Sequence, residues 1–420
     1  MNIDLNIDPQ NPNVTAHALN EHLKSAKTFF DSNLHRTGIH PPRRQPEAGQ
    51  PEKHHQGMGK FQISDPSSWM DSFHIGDPSS WNNLTVYPIF RSPYAYEDEL
   101  ELVDLERAIE GGLFKIVEVS EMGVVSALRA ANQSSQRVII FDGEELIGAK
   151  QDRVANATII VGAHQNEVIP VSCVEKGRWR RQSRCFSAGE FLHPSLRRKK
   201  FRNVTANLRS GRGYRADQRM IWDQIASKSA RMEVQSKTGA IRDVEDRYFV
   251  YNAVLQQSIP HFPDQLGYLA YVRGGFAGGD IFPSTSISWK KYTKLLRSYL
   301  LDAQDRDVEF PKMKIGEIRQ AIASSRIETV KALGAGLEHR FKSLKIQGSY
   351  TLLDDRLAHM TIFPKVRSKA HVLPGNFVMR TTGPGPSEVL EKQGELSQMF
   401  RKLKTLLKTV RQKHGAQSRV

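Results

Sequence analysis

Cysteine is almost missing from this chain: 420 residues contain only Cys173 and Cys185. Two thiols cannot build a disulfide framework, and neither has the paired spacing of a zinc site. Long apolar runs are missing too. No stretch approaches the ~20 consecutive apolar residues needed to span a bilayer, so no membrane partner is expected. The opening MNIDLNIDPQ lacks the basic-then-apolar order of a secretory signal, and the expected location is cytoplasmic. There is no P-loop, no metal signature and no Ser-His-Asp order. The glycine pairs Gly274-Gly275 and Gly278-Gly279 lack the strand–GxGxxG–helix setting of a dinucleotide fold and read as hairpin geometry. No cofactor is evident.

Acidic residues are scarce in just two places. The formal net charge is +15, yet residues 176–215 carry 13 Lys and Arg against one acid, Glu190, and residues 401–420 carry 7 against none. The rest of the chain is net −4. Basicity confined in this way points to a nucleic acid or an acidic protein surface rather than to general solubility. Arg180, Arg181, Arg197, Arg198, Lys199 and Lys200 are the expected polyanion contacts.

The apolar fraction, 39%, is slightly low and predicts a folded body with polar, unfolded additions. Residues 1–60 read as a disordered head, with one short helix over Ala16 to Phe30 and a solvated His cluster (His35, His40, His54, His55). Asp65-Pro66-Ser67-Ser68-Trp69 recurs at Asp77-Pro78-Ser79-Ser80-Trp81, a duplicated docking segment with Trp anchors. Leu84 to Phe90 is a strand, Tyr96 to Ile109 a helix. Strands then dominate: Phe114 to Ser120, Val124 to Asn132, Arg137 to Phe141, Ala157 to Val161 and Val168 to Val174. Residues 183–216 read as a basic connecting loop. Helices are expected over Asp217 to Met232, Asp243 to Ser258, Ser288 to Ala303 and Lys314 to Leu333, with a hairpin about Arg273-Gly274-Gly275 and paired strands about Asp354-Asp355. A stripe of Leu396, Met399, Leu403, Leu406 and Val410 makes residues 386–420 a basic amphipathic helix suited to a partner protein. The expected class is α+β: an antiparallel β-sandwich or barrel-like N-terminal half (84–182), then a mixed α/β half (217–385).

The chain is organised around Phe141 to Arg181, where half-buried strands carry an unusual load of acids, bases and a thiol. Glu144, Glu145 and Glu175 can supply a general acid/base pair or a ribose-hydroxyl acceptor, or serve as structural partners of Arg153 or Arg178. Cys173 is a nucleophile if a neighbouring cation favours its thiolate, and an inert buried thiol otherwise. Lys150, Gln151, Arg153 and Arg178 suit a phosphate or pyrophosphate, and Trp179 a base or ribose face.

Leu146-Ile147-Gly148-Ala149-Lys150-Gln151-Asp152-Arg153, Ile169-Pro170-Val171-Ser172-Cys173-Val174-Glu175 and Gly177-Arg178-Trp179 resemble the ARG and rhodanese-phosphatase-superfamily-associated domain family. The resemblance extends to Asp217-Gln218 with Trp222, the Gly267-to-Phe282 hairpin, Leu295 to Tyr299, and His359 with Phe363, covering roughly Leu84 to Phe363. The family name records gene neighbours, among them ADP-ribosylglycohydrolases. The resemblance therefore implies a link to ADP-ribose or NAD-derived nucleotides, adds His359 to the expected ligand-binding residues, and implies no particular reaction. A nucleic-acid-binding accessory protein and a scaffold subunit are the alternatives.

Overall fold

Alternation of apolar and polar residues sets most of the architecture. The computed structural model describes residues 72–92, 100–248 and 252–366, all within the unit of the chain that begins at Gln62. The chain enters through β1 (Phe73–Ile75), β2 (Ser79–Trp81), β3 (Leu84–Arg91) and β4 (Leu102–Asp104), then helix α1 (Leu105–Glu110). Eight strands follow: β5 (Phe114–Glu118), β6 (Ala127–Asn132), β7 (Arg137–Ile140), β8 (Glu144–Gly148), β9 (Arg153–Ala155), β10 (Ile159–Val161), β11 (Asn166–Cys173) and β12 (Phe186–Phe191). Helices α2 (Pro194–Arg209), α3 (Gln218–Arg231), α4 (Ile241–Arg247) and α5 (Asn252–Ser258) come next. The hairpin β13 (Gln265–Val272) and β14 (Gly275–Ile281) precedes α6 (Thr285–Gln304) and α7 (Ile315–Ala323). Strands β15 (Arg326–Lys331), β16 (Leu333–Gly334), β17 (Leu337–Lys342), β18 (Ile346–Leu353) and β19 (Arg356–Pro364) complete it.

Six strands close an antiparallel barrel in the order β11–β6–β5–β12–β8–β9. Successive side chains point in and out, so the inward set is legible from the register. Ile116 opposes Ala130, Leu128 opposes both Glu118 and Ile169, and Arg153 opposes both Leu146 and Cys173. The apolar members of this set pack together as one core. Outside the barrel, Val154 and Val174 pack against Ile221, Ile225, Ile241 and Val244 of α3 and α4.

A nine-stranded sheet runs β1–β3–β13–β14–β19–β18–β17–β15, with β2 also on β3. Helix α6 covers it, burying Tyr292, Leu295, Leu296, Tyr299 and Leu300 in one cluster, each worth about 1.5–3 kcal/mol of burial. A four-stranded sheet, β16–β10–β7–β4, completes the architecture.

The α+β expectation, with a barrel-like part, is borne out. Several element readings need correction. The stretch 183–216 holds β12 and the sixteen-residue α2, started by Pro194 at its first turn, not a loop. Its apolar face was hidden because Arg197, Arg198 and Lys200 occupy buried positions on it. The helix expected over Lys314 to Leu333 stops at Ala323, and β15 follows. The helix expected from Tyr96 is the strand β4 and the short α1 where it is described, and Asp243 to Ser258 holds two helices, α4 and α5. Strand β3 of the first half pairs with β13 of the second, so one sheet spans both expected halves. Asp217 caps α3 as its position implied, accepting from the N–H groups of Arg219 and Met220. Of the repeated docking segment, the Trp81 copy lies on β2, packed half-buried against the main core. The Trp69 copy, the Ala16 to Phe30 helix, the clustered His residues and the 386–420 helix lie outside the described residues.

Candidate functional site at the barrel mouth

The family-like segments first build a frame. Between β8 and β9 the chain reverses through Gly148 (φ +122°) and Ala149 (φ +41°). A side chain at Gly148 would start only 2.5 Å from the Ser183 hydroxyl, so both backbone angle and space require glycine there. Asp152 ties the turn, its Oδ1 accepting from Gly148 N at 2.8 Å and from Arg178 Nη2 at 2.9 Å. Arg178 also donates to Ala149 O at 2.8 Å and pairs with Glu175 at 2.6 Å. Burial pushes the Glu175 carboxyl up, but Arg178 and the Asp152 N–H outweigh it and leave it below the usual carboxylate range. Glu175 is thus an anion committed to Arg178, and neither is left over for a ligand. The Gln218 side chain closes the frame, accepting from Cys173 N and donating to Cys173 O, both at 2.8 Å.

Inside this frame the barrel interior changes character. Beside the inward-facing Leu146, Ile116 and Leu128 stand Arg153, Cys173 and Glu118, all wholly or almost wholly buried. Arg153 Nη1 donates to Gln151 Oε1 at 3.0 Å, and the Cys173 thiol to the same oxygen at 3.1 Å. Arg153 Nε and Nη2 and Glu118 Oε2 have no hydrogen-bond partner. Over them sits the Trp179 ring, 47% exposed, its centroid 5.7 Å from the Arg153 guanidinium and 5.5 Å from Lys150 Nζ. Burial pushes the Cys173 thiol up to about 11, with Arg153 pulling the other way. As a neutral thiol it donates to Gln151 Oε1, in keeping with the buried-thiol reading of the two. Burial also lowers Arg153.

Of the residues expected at one site, Lys150, Gln151, Arg153, Cys173 and Trp179 converge there, with Glu175 and Arg178 as supports. Glu144 does not. It receives Lys291 Nζ at 2.6 Å and Phe141 N at 3.0 Å, a fully buried pair beyond the barrel. His359 is elsewhere too, its ring between Thr158 Oγ1 (2.7 Å) and Asp280 Oδ1 (3.2 Å).

The polyanion set divides. Arg197 makes a two-pronged pair with Asp280 at 2.7 and 2.9 Å and reaches Asp142, which also takes Lys200. Burial would raise the Asp280 carboxyl, but Arg197 and His359 hold it well below the usual range. Arg198 is buried, and Lys199 is bound to Gln224. Arg197 and Lys200 share one cause, since α2 turns them inward onto buried acids, whereas Arg198 is buried with Nε unpartnered and Lys199, half-buried, meets a neutral amide. Arg180 and Arg181 remain exposed.

Glu118 and Glu245 were missed. Glu118 ends β5 in a core position of the alternation, the one signal that marks it. Glu245 meets Glu145 only through packing. Alternation sends Glu145 out of the barrel, on the face of Val154, into a cavity of about 290 Å³ between β8, β12, α4 and α6. Its carboxyl and that of Glu245 line the same cavity, and none of the four oxygens has a hydrogen-bond partner. Burial pushes Glu145 up to about 8 and Glu245 well above the carboxylate range, each further raised by nearby acids.

The barrel, its mouth and the cavity all fall within residues 72–363, which match the ARG and Rhodanese-Phosphatase-superfamily-associated Protein domain. The chain belongs to that family. No curated protein and no solved structure matches it.

Proposed function

We propose that this family domain recognises a small phosphorylated ligand of nucleotide type, such as ADP-ribose or another NAD-derived molecule, at the barrel mouth. The observation that carries the reading is Arg153: a buried guanidinium with Nε and Nη2 unpartnered, beneath an exposed indole and beside Lys150. A buried cation with unmade hydrogen bonds is costly, and an anion that supplies two acceptors removes that cost. Trp179 offers a π-face to a base, and barrel mouths are habitual ligand sites. The neighbours recorded in the family's name point to the same ligand class.

Calorimetric titration with ADP-ribose, NAD and AMP tests it, followed by Trp179 fluorescence. Binding is expected to fall about 100-fold or more in Arg153→Met and about tenfold in Trp179→Ala. A folded wild-type protein that binds none of the three would sink the proposal. A nucleic-acid reading draws on Arg180 and Arg181, exposed next to Trp179 on the same loop. It predicts retention of DNA or RNA that collapses with salt, and salt-independent or absent retention dismisses it. A scaffold role for residues 386–420 is tested by truncation at 385, where an unchanged partner set and oligomeric state count against it.

A further inference from the structure

The cavity behind β8 lies outside the barrel and shares no residue with the mouth. Its charges can be assigned one by one. Glu190 pairs with Arg297, and Lys294 is held by Glu106 and by Gly189 O. Arg242 lies 3.8 Å from Asp246, one turn along α4. What is left over is two carboxyl groups, Glu145 and Glu245, both at the cavity wall and both without an outside partner. Glu145 is completely buried, and although the stem of Glu245 is partly exposed, its oxygens are not.

Two carboxyls placed face to face away from water are tolerable only if they hold a proton between them. A proton is one way to supply the missing positive charge. A second way is a ligand cation. Among the described residues no group of three or more His, Cys, Asp and Glu side chains is placed to hold a metal ion. An ammonium or guanidinium group needs less, because its several N–H donors match two carboxylates directly. Gly189 lets β12 pack closely on β8 beside the pair: a side chain there would lie 2.9 Å from Glu145 Cβ and 2.7 Å from Ile147. Ser187, Tyr248 and Ser298 add neutral polar wall.

We infer that this cavity is a binding site for a small organic cation, an amine or guanidine, which displaces the proton shared by Glu145 and Glu245. The balance is simple. The cation enters between the carboxyls, the shared proton leaves to the buffer, and both carboxylates end paired. The groups facing the pair from β12, the β8–β9 turn, α4 and α6 are those already assigned, together with Asp152. Their pairs stay intact on either side of the exchange, so the proton released is that of the dyad.

The experiment is calorimetric titration of the full chain with agmatine, putrescine and methylguanidine. It is run in two buffers of different ionisation enthalpy, at about pH 6.5 and about pH 8.5, on either side of the dyad's titration. At least one probe is expected to bind at a single site, release close to one proton more at the lower pH than at the higher, and bind about tenfold or more tightly at the higher pH. Glu145→Gln and Glu245→Gln are each expected to weaken binding about tenfold or more and to lower the number of protons released. Arg153→Met is expected to leave cation binding unchanged, which separates this site from the barrel mouth. Failure of all three probes to bind folded wild-type protein would overturn the inference. So would binding without proton release, or binding equal in wild type and both glutamine variants. Should the glutamine variants not fold, the proton count of the wild type decides alone.

Discussion

Glu144 and Glu145 stand side by side on β8 and open onto two regions that treat a buried carboxylate in opposite ways. On one side, Lys291 reaches in from α6 and a backbone N–H completes the shell, so Glu144 is satisfied. On the other, Glu145 meets only another acid. The same contrast separates the two buried arginines. Arg197 is matched by two aspartates, whereas Arg153 has one neutral acceptor and two idle donors. Saturated networks hold the helices to the sheets. Unsaturated ones face a cavity or an exposed aromatic ring, where a ligand can complete them. Local chemistry is alike in each pair; completion of the shell is what differs.

Breaking a saturated network has the largest expected effect. Arg197→Met leaves Asp280 and Asp142 short of charge in the interior and is expected to cost about 3–5 kcal/mol, read from urea unfolding by circular dichroism. A loss below about 1 kcal/mol would mean that network is not structural. Relieving the unsaturated acid pair works the other way. Because the folded Glu145 carboxyl is raised to about 8, the native state holds a proton that the unfolded chain gives up near the usual carboxylate value. Its contribution is therefore fully present at low pH and is lost as pH rises toward about 8. Glu145→Gln is expected to be more stable than wild type by about 1–3 kcal/mol near pH 8, with the gap closing as the medium is acidified. Equal pH slopes of melting temperature in the two proteins would contradict the shared proton.

Arg153→Met sharpens the comparison from the opposite direction. If its guanidinium is there for a ligand, the apolar replacement is expected to cost less than about 1 kcal/mol or to stabilise the apo protein slightly. A loss on the scale of Arg197→Met would place it among the structural cations. The smallest effect belongs to the surface: Arg137 and Asp354 pair while roughly half exposed, and Arg137→Ala is expected to shift stability by about 0.5 kcal/mol or less.

Much of the barrel mouth was legible. Lys150, Gln151 and Arg153 are consecutive or nearly so, and Cys173 ends a strand whose alternation is plain, so they stood out as a polar load on an apolar frame. Arg178 and Glu175 stood out for the same reason and took the other role, because the turn at Gly148 folds the Arg178 side chain back onto Asp152 and Glu175. Their reading leaves a structural ion pair open, and the 2.6 Å contact between them decides it. The α2 cations misled for a different reason. A run of Arg and Lys looks solvent-facing unless the acids that meet it are known, and Asp142 and Asp280 lie 55 and 83 residues from Arg197.

What the sequence by itself determined was local: the alternation that made β5, β6 and β11, the cap at Asp217, the amphipathic stripe of α6, and the family to which the chain belongs. These depend on neighbours a few residues apart, whose geometry the backbone period dictates. Only the tertiary structure decided which charges are matched. Barrel closure brought Arg153 opposite Cys173, and helix packing set Glu245 against Glu145 across a hundred residues of chain. Burial then made each pairing consequential, because an unmet charge costs little in water and a great deal inside a protein.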